Sequence, residues 1–217
     1  MVRIVGPILR LLLHPRVEGR HLIPAEGRLI IASNHLSFID SFIIPLALLP
    51  RRVTTLTKAE YFEGKGLKGA FARWFLVGMG YVPVQRGTGR AALGALDQAV
   101  DIIGSGRAFT LYPEGTRSGD GRLYRGRVGV GALVLSTGAK VLPIGLVGTE
   151  RMQPVGHKLP SPFVQVTVRI GEPLEFAQYA GDPPGKARRM IADEVTMAIQ
   201  KLSGQEYAGV YNDRAPS

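Results

Sequence analysis

The chain has 217 residues, 45% of them hydrophobic, with no cysteine and a formal net charge of +10. This length gives one globular domain with a sizeable core, and the absence of cysteine excludes disulfides, thiolate metal sites and a Cys nucleophile while fitting a reducing compartment. The basic excess lies in residues 1–181, which hold 22 Lys or Arg against 12 Asp or Glu. Such a surface attracts polyanions; with no nucleic-acid recognition motif and no basic–aromatic interleaving, the expected partner is an anionic membrane or a phosphorylated substrate, not nucleic acid.

In chain order, residues 1–15 carry an apolar run from Ile4 to Leu13, interrupted by Arg10. The run is about half the roughly twenty residues of a bilayer span. Leu9, Leu12 and Leu13 share one side, with Arg3 and Arg10 able to reach headgroups. The segment therefore reads as a short amphipathic, membrane-associating element, or equally as a helix docked on the protein's own core. Residues 16–27 read as a connector with Pro24 and Gly27, residues 28–33 as a buried strand, and residues 38–49 as a helix containing Pro45.

Residues 51–57 are β-branched and read as a strand. Residues 66–77 read as a helix whose apolar residues, Leu67, Phe71, Trp74, Phe75 and Leu76, exceed one core stripe; core packing is the default, a face toward lipid the alternative. A short edge strand with Pro83 follows over 81–86, then a helix over 88–104 capped by Thr88 and a strand over 108–112. A Gly-rich, charged loop occupies 113–122. A helix over 127–138, a strand over 140–147, a Pro-rich loop over 149–162, an alternating strand over 163–170 and a helix over 184–203 complete the domain. Residues 204–217 read as a loose tail. The expected fold is α/β: a central mixed, largely parallel sheet flanked by helices, spanning residues 16–203.

Sites in such sheets form where strands give way to loops. Four predicted strand ends carry polar clusters: Asn34-His35 with Asp40, Lys58 with Glu60, Gln85-Arg86, and Glu114-Gly115-Thr116-Arg117. A carboxylate on one imidazole nitrogen leaves the other free as a base, an arrangement suited to deprotonating an alcohol. The competing reading makes Asn34 and Ser37 helix caps, with Asp40 favouring the helix N-terminus. Arg117 is the strongest candidate for gripping a phosphate, since guanidinium matches it bidentately, and Gly115 and Thr116 offer further donors. A Glu114–Arg117 pair in a turn is the alternative. Arg86 and Lys58 are secondary cations, and Glu60 is a candidate to orient Lys58 or cap the next turn. Ser37 and Ser118 lie in no nucleophile elbow, and no His or Cys cluster accompanies His35 and Asp40 as metal ligands.

These residues resemble the PlsC-type glycerolipid acyltransferases, in particular the 1-acylglycerol-3-phosphate acyltransferases. The pattern Asn-His-x4-Asp is met by Asn34, His35 and Asp40, and Lys-x-Glu by Lys58 and Glu60. A block ending in arginine runs from Gly80 to Arg86, Pro-Glu-Gly-Thr-Arg-Ser runs from Pro113 to Ser118, and an apolar-Pro-apolar strand surrounds Pro143. The match in order and spacing covers roughly residues 16–150. Tyr124-Arg125-Gly126 is one residue shorter than the family's pattern at that step, and Pro83 and Val84 stand where many relatives have Phe or Ile, which puts the acyl length preference in question.

The resemblance implies that His35 takes a proton from a glycerol hydroxyl, that Asp40 orients it, and that the alcohol attacks an acyl-CoA or acyl-carrier-protein thioester without an acyl-enzyme. It implies no cofactor beyond that co-substrate and no metal. Arg117, with Arg86 and Lys58, would bind the phosphate of lysophosphatidic acid; which donors face the oxyanion is not read from the sequence, amides near Gly115 or at the helix start after Ser37 being the candidates. It further implies phospholipid synthesis; several bacterial members have a longer N-terminal membrane segment than residues 1–15, so here the short apolar piece and the basic surface point to peripheral attachment, expected on the cytoplasmic face of the cell membrane. The alternatives are another acceptor, glycerol-3-phosphate or a glycosylated lipid, and a lipid-binding protein without turnover.

Overall fold

The run Leu29–Ser33 has no polar face, and all five of its residues are buried. A strand of that kind needs cover on both sides, and it sits in the middle of the sheet. The computed structural model describes residues 13–85, 90–154, 156–157, 159–161 and 164–213. Its strands are β1 (Arg16–Glu18), β2 (Leu29–Ser33), β3 (Val53–Lys58), β4 (Tyr81–Val84), β5 (Ala108–Leu111), β6 (Lys140–Val147) and β7 (Thr167–Ile170). Its helices are α1 (Asp40–Ala47), α2 (Gly66–Gly78), α3 (Arg90–Gly104), α4 (Gly129–Thr137), α5 (Thr149–Met152) and α6 (Pro184–Ser203). The strands form one sheet in the order β1-β7-β6-β2-β5-β3-β4.

Alternate residues of β2 feed two apolar layers. Leu29 and Ile31 pack with Ile43 and Ile44 of α1, and Phe75 and Leu76 of α2 join that layer. Ile30 and Ala32 pack with Ile103 of α3, Leu133 of α4 and Ile191 and Val195 of α6. Each fully buried Ile or Leu contributes roughly 1.5–3 kcal/mol, so the double cover fixes β2 firmly.

Strand β2 pairs parallel with β5 and β6, and β3 pairs parallel with β5 and β4. Strand β7 is antiparallel to β6, with β1 parallel to β7. The expected mixed, largely parallel α/β sheet is what forms. One consequence matters for function: β2, β3, β4 and β5 all end on the same edge. The chain leaves β2 through α1 on one face and leaves β5 through α4 on the other, which opens a crevice between the two strand ends.

Several expectations need correction. The connector 16–27 contains β1 and a 3₁₀ turn, Arg20–Leu22; a three-residue strand carries no periodicity and exists by pairing with β7. The Pro-rich loop contains the short α5, and β7 starts at Thr167. Strand β4 is the sheet's last strand, as Pro83 suggested. The tail is not loose over 205–212: Leu123 N–H donates to Glu206 O, Ala208 N–H to Leu123 O and Arg125 N–H to Val210 O, each at 2.9 Å. Helix α2 is only partly core, because Leu67 is 90% exposed and Phe71, Trp74 and Val77 are exposed beside it. Of the N-terminal segment, residues 1–12 lie outside the described residues, and Leu13 is buried in the α1 layer. No helix among the described residues is long and apolar enough to cross a membrane.

Candidate active site

The turn between β2 and α1 is folded around one carboxylate oxygen. Asp40, the first residue of α1, is fully buried. Its Oδ2 accepts the Leu36 N–H at 2.7 Å and the Ser37 N–H at 2.8 Å, and lies 2.9 Å from Nδ1 of His35. A carboxylate oxygen can only accept, so the contact pairs it with a proton on Nδ1, the tautomer in which Nε2 keeps a free lone pair. The Asp40 Oδ1 is buried with no hydrogen-bond partner among the described residues, a cost of about 1–3 kcal/mol of the kind kept at functional sites. The ring of Tyr112 stacks on His35, with centroids 3.9 Å apart and planes inclined by 11°. The imidazole is therefore held on one side by charge and on one face by an aromatic ring. Its side chain stays 14% exposed, enough to meet a reactant.

Asn34 and Ser37 are not caps. Ile39 precedes α1 and no side chain caps the helix. The Asn34 amide acts instead as a stand-in strand partner: its Nδ2 donates to Leu146 O at 2.9 Å, and its Oδ1 accepts from Leu146 N–H at 2.7 Å. The Ser37 hydroxyl donates to Gln153 O at 2.6 Å. Both therefore pin the turn that carries His35 and Asp40 to the β6 side of the sheet.

The second half of the site comes from the loop after β5. Ala32 is in register with Leu111, so His35 and Glu114 each lie three residues past the same paired level. Glu114 is 1% exposed. One oxygen accepts His35 N–H at 3.0 Å and the other accepts Tyr124 N–H at 2.9 Å, and Ser118 N–H closes the link by donating to His35 O at 2.7 Å. Glu114 is thus a main-chain clamp between the two motif loops. Burial pushes its carboxyl up to about 7, against the two main-chain hydrogen bonds and with help from the charges of Asp40 and Asp120. Partial desolvation works against the Asp120 charge too, but hydrogen bonds from Tyr124, Arg122 and Ser118 outweigh it and hold that carboxyl below the usual range.

Arg117 is half-buried in this loop, next to the half-buried Thr116 and the exposed Gly115. Gly115 takes φ 81°, a left-handed turn conformation suited to glycine. Its N–H donates to Tyr112 O at 3.0 Å. The amides of Leu36, Ser37, Gly115 and Ser118 thus each have an acceptor inside the protein. Lys58 ends β3 in register with Val84 of β4, on the same edge as His35. Glu60 is exposed in the 3₁₀ turn Ala59–Phe62. Arg86 lies outside the described residues. Sequence reasoning missed Tyr112, the stacking partner, though it adjoins Pro113. It also missed Gln205, whose Oε1 accepts from Asn34 Nδ2 at 2.8 Å; nothing in the sequence marks that residue.

An apolar cavity of about 210 Å³ opens immediately beyond Asp40, lined by Ser41, Phe42, Phe75, Leu76 and Tyr81 among others. Among the described residues of the block from Gly80 to Arg86, Tyr81 lines it; Pro83 is exposed. The Tyr81 hydroxyl donates to Ser41 O, fixing the wall nearest the dyad.

The sequence profile of the family described as Acyltransferase matches residues 14–147. A chloroplastic 1-acyl-sn-glycerol-3-phosphate acyltransferase of Arabidopsis thaliana is 28% identical over 186 residues, covering 83% of this chain and 49% of that protein. The chain spans about half the length of that relative and of similar ones from Brassica napus and Chlamydomonas reinhardtii. A 1-acyl-sn-glycerol-3-phosphate acyltransferase of Bacillus subtilis is 23% identical, covering 88% of each chain. Among solved structures, the 1-acyl-sn-glycerophosphate acyltransferase PlsC of Thermotoga maritima superposes with a TM-score of 0.69 at 25% identity, covering 91% of this chain and 76% of that one.

Proposed function

This chain belongs to the acyltransferase family, and from that premise we propose that it transfers an acyl chain from acyl-CoA or an acyl-carrier protein to the sn-2 hydroxyl of 1-acylglycerol-3-phosphate, giving phosphatidic acid. The observation that carries the reading is the His35–Asp40 pair locked to the loop that bears Arg117. His35 Nε2 takes the hydroxyl proton as the oxygen attacks the thioester carbon. The tetrahedral intermediate collapses, the carbon–sulfur bond breaks, and the imidazolium returns its proton to the departing thiolate. Asp40 stabilises the imidazolium throughout. Ester and free thiol are the products, and no acyl-enzyme forms. Purified protein should release thiol from acyl-CoA in the presence of 1-acylglycerol-3-phosphate. Release only with glycerol-3-phosphate or a glycosylated lipid would redirect the acceptor assignment, and release with no alcohol at all would defeat the reading.

Arg117 supplies the grip on the acceptor's phosphate. Arg117→Ala should raise KM for the phosphorylated acceptor by about ten- to a hundredfold, the worth of one or two charge-assisted hydrogen bonds, and leave KM for the acyl donor unchanged. A rise in donor KM alone would reassign Arg117 to the donor.

Helix α2 serves the lipid on both of its sides. Its inner residues Ala72, Phe75 and Leu76 line the cavity, which seats the acyl chain. Its outer residues Leu67, Phe71 and Trp74 are exposed, and Lys65, Lys68 and Arg73 lie among them. Apolar side chains with basic neighbours suit an anionic bilayer surface. Ala72→Phe should move the preferred donor toward shorter chains. Trp74→Glu should weaken sedimentation with phosphatidylglycerol vesicles while leaving turnover of a soluble short-chain donor in place. Unaltered chain preference in the first variant, or undiminished vesicle binding in the second, would remove the corresponding assignment.

A further inference from the structure

The family match ends at residue 147, yet a segment far beyond it reaches both halves of the site. The approach begins at Gly145 in β6. A Cβ there would lie 2.5 Å from the main chain of Leu202 and Ser203, so only glycine lets the end of α6 sit directly on the strand. Gly204 then reverses the chain with φ 73°. This delivers Gln205 between the two motif loops. Its Oε1 accepts from Asn34 Nδ2 at 2.8 Å, and its Nε2 donates to Gly121 O at 2.7 Å.

The chain then runs alongside residues 123–125, with Leu123 and Tyr207 in a parallel bridge. Further along the same segment comes Asn212, which is 2% exposed. The Asn212 Nδ2 donates to the main-chain carbonyl of Arg117 at 3.2 Å, while Arg127 Nη2 donates to Asn212 O at 3.4 Å. Tyr211 lies beneath the guanidinium groups of Arg125 and Arg127.

We propose that residues 205–212 are a strap that sets the position of the anion-binding loop, with Asn212 and Gln205 as positioning residues for Arg117. Neither need touch substrate. Asn212 holds the backbone from which the Arg117 side chain projects, and Gln205 fixes the distance between that loop and the catalytic turn. A guanidinium recognises phosphate through a fork of fixed geometry, so a small displacement of its backbone weakens acceptor binding before it affects anything else.

The proposal rests on the acyltransferase reading, and the experiment separates the two. Asn212→Asp keeps the shape and removes the donor to Arg117 O; Gln205→Ala removes both bridging bonds at a half-buried position. In each, KM for 1-acylglycerol-3-phosphate should rise about tenfold, the effect of one hydrogen bond, with KM for acyl-CoA unchanged. The amides of residues 115–118 should exchange with deuterium faster than in wild type. A general loss of packing would instead lower kcat and raise both KM values together, which would overturn the proposal, as would unchanged acceptor KM with unchanged exchange. If wild type itself shows no acceptor-dependent turnover, the functional reading fails. The exchange of residues 115–118 in the two variants then decides the strap alone: faster exchange supports it, wild-type exchange refutes it.

Discussion

Replacing His35 by Ala should lower turnover by about 10²–10⁴-fold, the usual worth of a general base, equivalent to roughly 3–5 kcal/mol of barrier. The fold should persist, because the imidazole is a partly exposed side chain and the tie from Ser118 runs to its main-chain oxygen. Asp40→Asn is the more discriminating partner to that variant. All three donors at Asp40 use the same oxygen, Oδ2, while Oδ1 has no partner among the described residues. An asparagine can therefore put its carbonyl oxygen where Oδ2 stands and its amide where Oδ1 stands, and keep the turn intact. What it removes is the negative charge that stabilises the imidazolium. Turnover by Asp40→Asn should thus fall by the same order as in His35→Ala, with a melting temperature close to wild type. Near-normal turnover in either variant, measured as thiol released per enzyme, would refute the general-base mechanism.

The second large effect is expected at Glu114, and it depends on pH. Its carboxyl is raised to about 7 by burial, whereas an unfolded chain titrates it near the ordinary 4.3. Between those values the folded protein binds more protons than the unfolded one, so stability falls as pH rises through the window. The contribution is fully present below the unfolded value and is lost by pH 8; a shift of this size corresponds to about 3–4 kcal/mol. Glu114→Gln does not titrate. It also turns one acceptor into a donor facing an N–H group, of His35 or of Tyr124, which should make it less stable than wild type at pH 5. Raising the pH to 8 should narrow that gap in Tm by about 6–15 °C for a chain of this size. Thermal unfolding of both proteins across this range checks the point, and a gap that stays constant with pH would rule out the raised carboxyl.

Much of this architecture is legible in the residues themselves. The apolar run Leu29–Ala32 announces a buried strand, and the alternation of strands with helices announces the α/β sheet. The dyad spacing was legible because a strand-to-helix turn brings residues five apart together. What could not be read was anything decided by pairing between distant segments. Strand β1 has only three residues and exists through β7. Asn34 resembles a cap in sequence, but the sheet offers it the main chain of Leu146, and two hydrogen bonds there outcompete one at the helix start. Residues 205–212 look like a polar tail because their order comes from main-chain bonds to residues 123–125, which leave no trace in composition. Glu114 beside Arg117 suggests an ion pair, yet register with β2 hands one of its oxygens to the His35 amide and the loop's return hands the other to the Tyr124 amide.

The most direct test of the account is thiol release from acyl-CoA by the purified wild-type protein, with and without 1-acylglycerol-3-phosphate, beside His35→Ala at the same concentration. The account predicts release that depends on the acceptor, yields phosphatidic acid in equal amount, and falls by at least about a hundredfold in the variant. Release that proceeds equally without acceptor, or equally without His35, would contradict it.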